Sequence, residues 1–431
     1  MGVGGDFAFF FGMLFIFLAF GLWAPFAIGI AGAIALYQAA GLPAFKSIGL
    51  VSWGATTNFN LTAIPLFILM AEVISHSGIS KRFYDGFAVI LRRVPGGLLQ
   101  TNILGCAIFA AISGASVATS ASMGAVALPQ LEAKKYDRAM SAGTLAAGGT
   151  LGILIPPSLT MIIYGSLTDT SIAKLFMAGL IPGLLLASIY ALYVAVRCSL
   201  NKKLAPVKSE PASWSEVGRA TLNLVPFLGL MFTILGSIYT GIATPTEAAA
   251  VGSSLAILMC VTMGNLTWPD FLASLRATMK VSCTLVFIIM CAYIFSYAVE
   301  LAGIGTAIVQ MLQGWGLSQF AFLAALLVMY ALLGCVMDGA GMIVLTVPLL
   351  QATLQAYNID FIWFGVFIVL QLELGMLTPP FGLNLFVLHG ISKWPMETII
   401  KGVFPYHIII VAYVFLMIAF PQIALWLPSR M

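Results

Sequence analysis

The sequence predicts an all-α polytopic membrane protein, built from two inverted-topology repeats with about ten to eleven transmembrane helices and two re-entrant hairpins. Three observations carry this prediction. The composition comes first: 61% hydrophobic and 8% charged residues, with a mean hydropathy of +1.06, exclude a soluble domain. Next, TLGILIPPS at 150–158 returns as ELGMLTPPF at 373–381, a displacement of 223 with five of nine residues identical. LFILM at 66–70 returns as VFIIM at 286–290, Gly78 and Ile79 as Gly303 and Ile304, and Pro25 and Gly32 as Pro245 and Gly252. The chain is therefore two copies of one unit, 1–215 and 216–431. The third observation is where positive charge falls. Lys81, Arg82, Arg92, Arg93, Lys134, Lys135 and Arg138 lie in first-repeat loops whose second-repeat counterparts, 302–319 and 351–360, hold no lysine or arginine. Positive loops stay cytoplasmic, so the two copies lie upside down relative to each other.

The elements follow in order between these loops. Residues 7–22 and 26–40 form a tight helical pair broken at Trp23, Ala24 and Pro25, and 60–77 brings the chain back to the cytoplasm. Residues 94–131 begin and end beside basic clusters. Two legs of about 16 to 18 residues span about 25 Å, short of the roughly 30 Å hydrocarbon core, so a re-entrant hairpin fits better than two full spans. A broken helix at 139–165 and a span at 175–196 complete the first repeat, and 198–219 is the linker. The second repeat gives spans near 220–238, 246–262 and 281–300, a hairpin near 319–350, a broken helix at 361–390 and a last span at 404–426. The first apolar segment lacks a basic n-region and reads as a retained helix.

Interruptions in apolar segments point to a transporter's binding site. The first hairpin tip, ISGASVATSAS at 112–122, concentrates hydroxyls and glycines. Non-helical backbone at that depth survives only where protein or a water-filled cavity satisfies it. At Ser113, Gly114 and Ser116, free carbonyls and hydroxyls suit a hard cation. Ser120 and Ser122 divide evenly between binding and helix packing. In the first broken helix, Gly148, Gly149, Thr150 and Gly152 precede Pro156 and Pro157, which cannot continue the hydrogen-bond ladder. Opening a helix frees carbonyls on one side and N–H groups on the other, able to meet a cation and an anion respectively. Glu373, Gly375, Thr378, Pro379, Pro380 and Asn384 take the matching places. The candidate substrate-binding residues are Ser113, Ser116, Thr150, Pro157, Ser158 and Asn384.

Asp338, at the tip of the second hairpin in VMDGAGM, is the most informative single residue, because an acid near mid-membrane costs about 2.5 to 3.5 kcal/mol on insertion scales. Glu373 is the weaker candidate, since an acid on a helix leg is free to face another domain. Glu247, in ATPTEA, reads as a helix-start residue, and Glu72 and Glu300 as interfacial ends of spans. Six cysteines without a CxxC pair and three scattered histidines indicate neither a disulfide framework nor a metal cluster, and the net charge of +4 reflects loop orientation, not nucleic-acid binding. With no Walker A sequence and no nucleophile or paired-acid motif, the chain reads as a non-enzyme without an organic cofactor, driven by an ion gradient. The hairpins and broken helices contain no lysine or arginine. An anionic substrate would thus be neutralised by N–H groups, hydroxyls and co-bound cations. A stand-alone symporter, exchanger or channel of the same architecture is the alternative.

The phrases ISGASVATSASMGAVALPQL, YDRAMSAGTLAAGGTLGILIPPS, IATPTEAAAVG, MDGAGMIVLTVP and LGMLTPPFGLNLF resemble the large membrane subunit of tripartite ATP-independent periplasmic (TRAP) transporters, the DctM-like family. The resemblance implies scaffold and transport domains interleaved across both repeats, an elevator movement, and sodium-coupled import of organic acids across the bacterial inner membrane. It places sodium at Ser113, Gly114, Ser116, Gly152 and Pro156 in one repeat and at Asp338, Gly339, Gly375 and Thr378 in the other. It also implies a separate four-helix small membrane subunit and a secreted substrate-binding protein as partners.

Overall fold

Prolines, glycines and capping residues divide the chain into twenty α-helices in a computed structural model that describes residues 3–206, 212–335, 337–379 and 382–431. The linker stretch 207–211, and Pro380 and Phe381 of the second break, lie outside the described residues. The first repeat comprises α1 (Val3–Ala19), α2 (Ala24–Ala40), α3 (Leu42–Thr56), α4 (Ala63–His76), α5 (Ile79–Ile90), α6 (Leu98–Ser113), α7 (Ser116–Ala133), α8 (Arg138–Leu154), α9 (Leu159–Thr168) and α10 (Ile172–Leu200). The second comprises α11 (Trp214–Tyr239), α12 (Pro245–Met263), α13 (Trp268–Leu301), α14 (Ile304–Gly314), α15 (Gln319–Leu333), α16 (Gly339–Ala356), α17 (Phe361–Leu377), α18 (Leu383–Ser392), α19 (Met396–Ala419) and the short α20 (Gln422–Leu425).

The duplication extends to local signals. Gly78 and Gly303 both take positive φ, 68° and 65°, to open α5 and α14, a conformation that glycine adopts without steric cost. Asp137 and Asp360 both cap the helix that follows: Asp137 accepts from the Met140 N–H at 2.8 Å, and Asp360 from those of Ile362 and Trp363 at 2.8 and 2.9 Å. Each such cap satisfies helix-start donors that otherwise have no partner. Glu247 closes a capping box with Thr244 at the start of α12, the structural role its position predicts.

Three helices go beyond the sequence reading. α5 and α14 fall where loops are expected. Ile79, Phe83 and Tyr84 of α5 are buried while Lys81 and Arg82 are exposed, so the basic residues that mark a loop occupy the polar face of an amphipathic helix. α14 meets α15 at a bend of 119°. α3 leaves Leu42, Phe45, Leu50 and Trp53 exposed while packing on α2 and α13. The span expected at 281–300 begins earlier: α13 has 34 residues, about 51 Å of helix. Among the described residues, eight helical stretches are long and apolar enough to cross a membrane, nine if the bent α14 and α15 pair counts as one, and shorter apolar helices include α2, α6, α17 and α18.

Packing gathers α2, α3 and α4 with α11, α12 and α13 in one group, and α6 to α10 with α15 to α20 in another. At the centre of the second group, α8 is buried from Met140 to Leu154 and α17 from Trp363 to Leu377. A helix hydrophobic all round belongs in the middle of a packed body. These are the first legs of the two broken helices.

Candidate functional site

The interruptions predicted from sequence come together. α8 ends at Leu154, and the Pro156–Pro157 pair separates it from α9. Ser158 stitches the break: its hydroxyl donates to the Ile153 carbonyl at 2.6 Å, accepts from the Met161 N–H and lies 2.8 Å from Thr160 Oγ1. The second break runs from Thr378, whose hydroxyl donates to the Leu374 carbonyl at 2.7 Å, to Gly382, whose N–H donates to the Thr378 carbonyl at 3.0 Å.

Each hairpin tip is seated on the break of its own repeat. Gly114 ends α6 with φ 62°, and its carbonyl accepts from the Leu159 N–H at 3.2 Å. A β-carbon at Gly114 would lie 2.9 Å from the Pro157 carbonyl oxygen, so glycine is required twice over, by conformation and by proximity. On the other side, a β-carbon at Gly334 would fall 2.2 Å from Gly375 Cα, and the Cys335 thiol faces the Pro379 carbonyl at 3.5 Å.

The second legs cross over. α9 packs on α16 of the second hairpin, and α18 packs on α7 of the first. Asn384 of α18 donates from Nδ2 to Ser116 Oγ at 2.7 Å and to the Ala146 carbonyl at 3.4 Å, while its Oδ1 is buried without a partner among the described residues. A β-carbon on Gly339 would lie 3.8 Å from Thr160 Cγ2. Ser113, Gly114, Ser116, Gly152, Pro156, Pro157, Ser158 and Asn384 thus form one cluster, and Asp338, Gly339, Gly375 and Thr378 line the second tip and its break.

Within the first cluster, the Ala115 carbonyl accepts from Ser113 Oγ at 3.3 Å and Thr119 Oγ1 at 2.8 Å, and a β-carbon at Gly152 would lie 3.0 Å from the same oxygen. Ala115 and Thr119 belong to the site although the sequence reading did not single them out. Their signal was the ISGASVATSAS phrase itself. Thr150 stands apart: it is fully buried, bonds the Ala147 carbonyl at 2.8 Å and lies beside the Tyr190 hydroxyl of α10. Asp338 is exposed at the tip and caps α16 through the Gly341 N–H at 3.3 Å. Ser120 faces α8, where its Oγ opposes Gly149, the packing role. These oxygen-rich, lysine-free and arginine-free tips are equipped for hard cations and small anions.

The chain matches the family model described as "Tripartite ATP-independent periplasmic transporter, DctM component" over residues 11–423. It belongs to that family. A putative TRAP transporter large permease protein from Haemophilus influenzae is 34% identical over 371 residues, covering 86% of this chain and 92% of that protein. The C4-dicarboxylate TRAP transporter large permease protein DctM of Rhodobacter capsulatus is 31% identical over 434 residues, covering 97% and 98%. The YdaH transporter of Alcanivorax borkumensis, whose crystal structure is described as having an unusual topology, shares the fold with a TM-score of 0.65 over 95% of this chain and 99% of that one, at 14% identity. This TRAP permease is accordingly a multi-pass membrane transporter and not an enzyme.

Proposed function

We propose that this TRAP permease is the sodium-coupled subunit of an importer of organic acids, carboxylates or related small anions, in a bacterial inner membrane. One observation carries the reading: both hairpin tips rest on helix breaks, where hydroxyls and carbonyls gather with no lysine or arginine at either tip or break, and Asp338 stands at the second tip. Sodium is held by Ser113, Gly114, Ser116, Gly152 and Pro156 in one repeat and by Asp338, Gly339, Gly375 and Thr378 in the other. The co-bound charge and the N–H ends of α9 and α18 then receive the substrate anion against Ser116, Pro157, Ser158 and Asn384. Sodium descending the membrane potential supplies about 2.3 kcal/mol per charge per 100 mV.

The two inverted repeats contribute jointly to both moving parts. The α2, α3, α4, α11, α12 and α13 group forms the scaffold, and the group around α8 and α17 forms the transport domain that moves as an elevator. A separate four-helix membrane subunit partners the scaffold, and an extracytoplasmic binding protein delivers the substrate.

The test is uptake of labelled C4-dicarboxylates, the substrates named for the Rhodobacter relative, into proteoliposomes holding this chain and its small subunit, with and without binding protein. Uptake that requires an inward sodium gradient and the binding protein supports the reading, and uptake that requires neither refutes it. Asp338→Asn is the sharpest variant, because asparagine keeps the helix cap and removes the charge. Sodium dependence should weaken while the protein stays folded.

A further inference from the structure

Glu373 is used by neither hairpin tip. It lies on α17, fully buried, and both carboxylate oxygens lack a hydrogen-bond partner among the described residues. The ion pairs of the described residues do not include it. A carboxylate in a low-dielectric interior is neutralised either by a proton or by a bound cation. α17 packs on α10 and α19, which brings the hydroxyls of Tyr190 and Tyr413 within electrostatic reach of the Glu373 carboxylate. Tyr413 donates its proton to the Pro182 carbonyl at 2.9 Å, which leaves its oxygen lone pairs available, and the Tyr190 hydroxyl lies beside Thr150.

The duplication supplies an independent observation. Glu373 is the positional counterpart of Thr150, 223 residues earlier. α8 and α17 pack against each other, and Tyr190 lies beside Thr150 and within electrostatic reach of Glu373. Equivalent positions of the two repeats therefore converge on one place, the seam between the central helices. This place is separate from the tip site. Gly375 faces Gly334, and two residues of helix turn Glu373 about 160° away from it.

We propose that Glu373, with the hydroxyls of Thr150, Tyr190 and Tyr413, forms a third cation site, which binds a sodium ion at the seam of the two repeats. The donors are all hard oxygens, which suit a hard cation. The site carries one negative charge, so a monovalent ion neutralises it and a divalent ion would leave an excess charge buried. With that ion in place, α8 and α17 move through the bilayer as a neutral, cross-linked pair. The inference deepens the sodium-coupled reading and rests on it for its role in transport, though not for its test.

The test is thermal unfolding of the purified full chain in detergent, titrated with NaCl against choline chloride at constant ionic strength. Ligands that bind only the folded state stabilise it by mass action, so the slope of stability against log sodium concentration counts bound ions. Glu373→Gln should lower that slope by about one ion, whereas Glu373→Asp and Tyr190→Phe should keep the slope and shift its midpoint to higher sodium. An unchanged slope in Glu373→Gln overturns the site. So does a wild type without sodium stabilisation, or a response lost in Glu373→Gln that follows pH instead of sodium. If Glu373→Gln does not fold, Glu373→Asp decides: a midpoint identical to the wild type overturns the site. Sodium-independent uptake with an intact sodium slope would instead refute the transport reading and leave the site standing.

Discussion

Gly149→Ala tests how closely the first hairpin is held against α8. A β-carbon there would stand 1.8 Å from Ser120 Oγ, 3.0 Å from Ser120 Cβ and 3.3 Å from Ser120 Cα. The hydroxyl can rotate away because it has no partner to lose among the described residues. The contacts to Cβ and Cα cannot be relieved by rotation, so α7 must retreat from α8 by several tenths of an ångström. Overpacking of this kind costs about 1–3 kcal/mol. Ser120→Ala alone should be nearly neutral or slightly stabilising, since it removes a buried, unsatisfied hydroxyl. Combined, the two changes should be less destabilising than their sum, because one clash is shared. Unfolding by SDS from detergent micelles, run as a double-mutant cycle, measures the coupling, expected above about 0.5 kcal/mol. Gly149→Ala as stable as the wild type, or two additive effects, would refute close packing of the hairpin on α8. Proteoliposome uptake should fall alongside stability, because the same displacement separates Ser116 from Asn384.

Gly402→Ala should be more damaging than Gly149→Ala, because its β-carbon would fall 1.9 Å from the Ala139 carbonyl oxygen, a backbone atom with no rotamer to change. SDS unfolding should show a loss at or above the upper end of the range of about 1–3 kcal/mol. Asn384→Ala removes the donor to Ser116 Oγ and should cost about 1–3 kcal/mol for the stranded buried hydroxyl. Its sodium-driven uptake should fall further than its stability does. Thr244→Ala opens the capping box at the start of α12 and should cost about 1 kcal/mol in the same unfolding assay, with the sodium dependence of uptake unchanged.

The site was legible in the sequence wherever its cause is local. Proline pairs stop helices whatever surrounds them, so the breaks at 155–158 and 378–382 lie inside the segments assigned to them. The hairpin legs at 98–113 and 116–133 fall within or close to the 94–131 window. Thr150 shows the limit: it belongs to the repeated phrase, yet its side of α8 turns toward α10 and away from the tip. α5 was hidden for a related reason, because lysine and arginine report membrane orientation and do not distinguish a loop from the polar face of a surface helix.

By itself the sequence determined that this TRAP permease is a membrane protein, that it is duplicated, and where its helices open, because hydropathy, repetition and proline act along the chain. Only the tertiary structure decided which parts meet. The crossing of α9 onto the second hairpin and α18 onto the first joins residues far apart in the chain, such as Asn384 and Ser116, 268 positions apart. No periodicity along one helix encodes such a pairing. The burial of Glu373 without a hydrogen-bond partner among the described residues is likewise a property of the packed seam, since it is set by which neighbouring helices close over it.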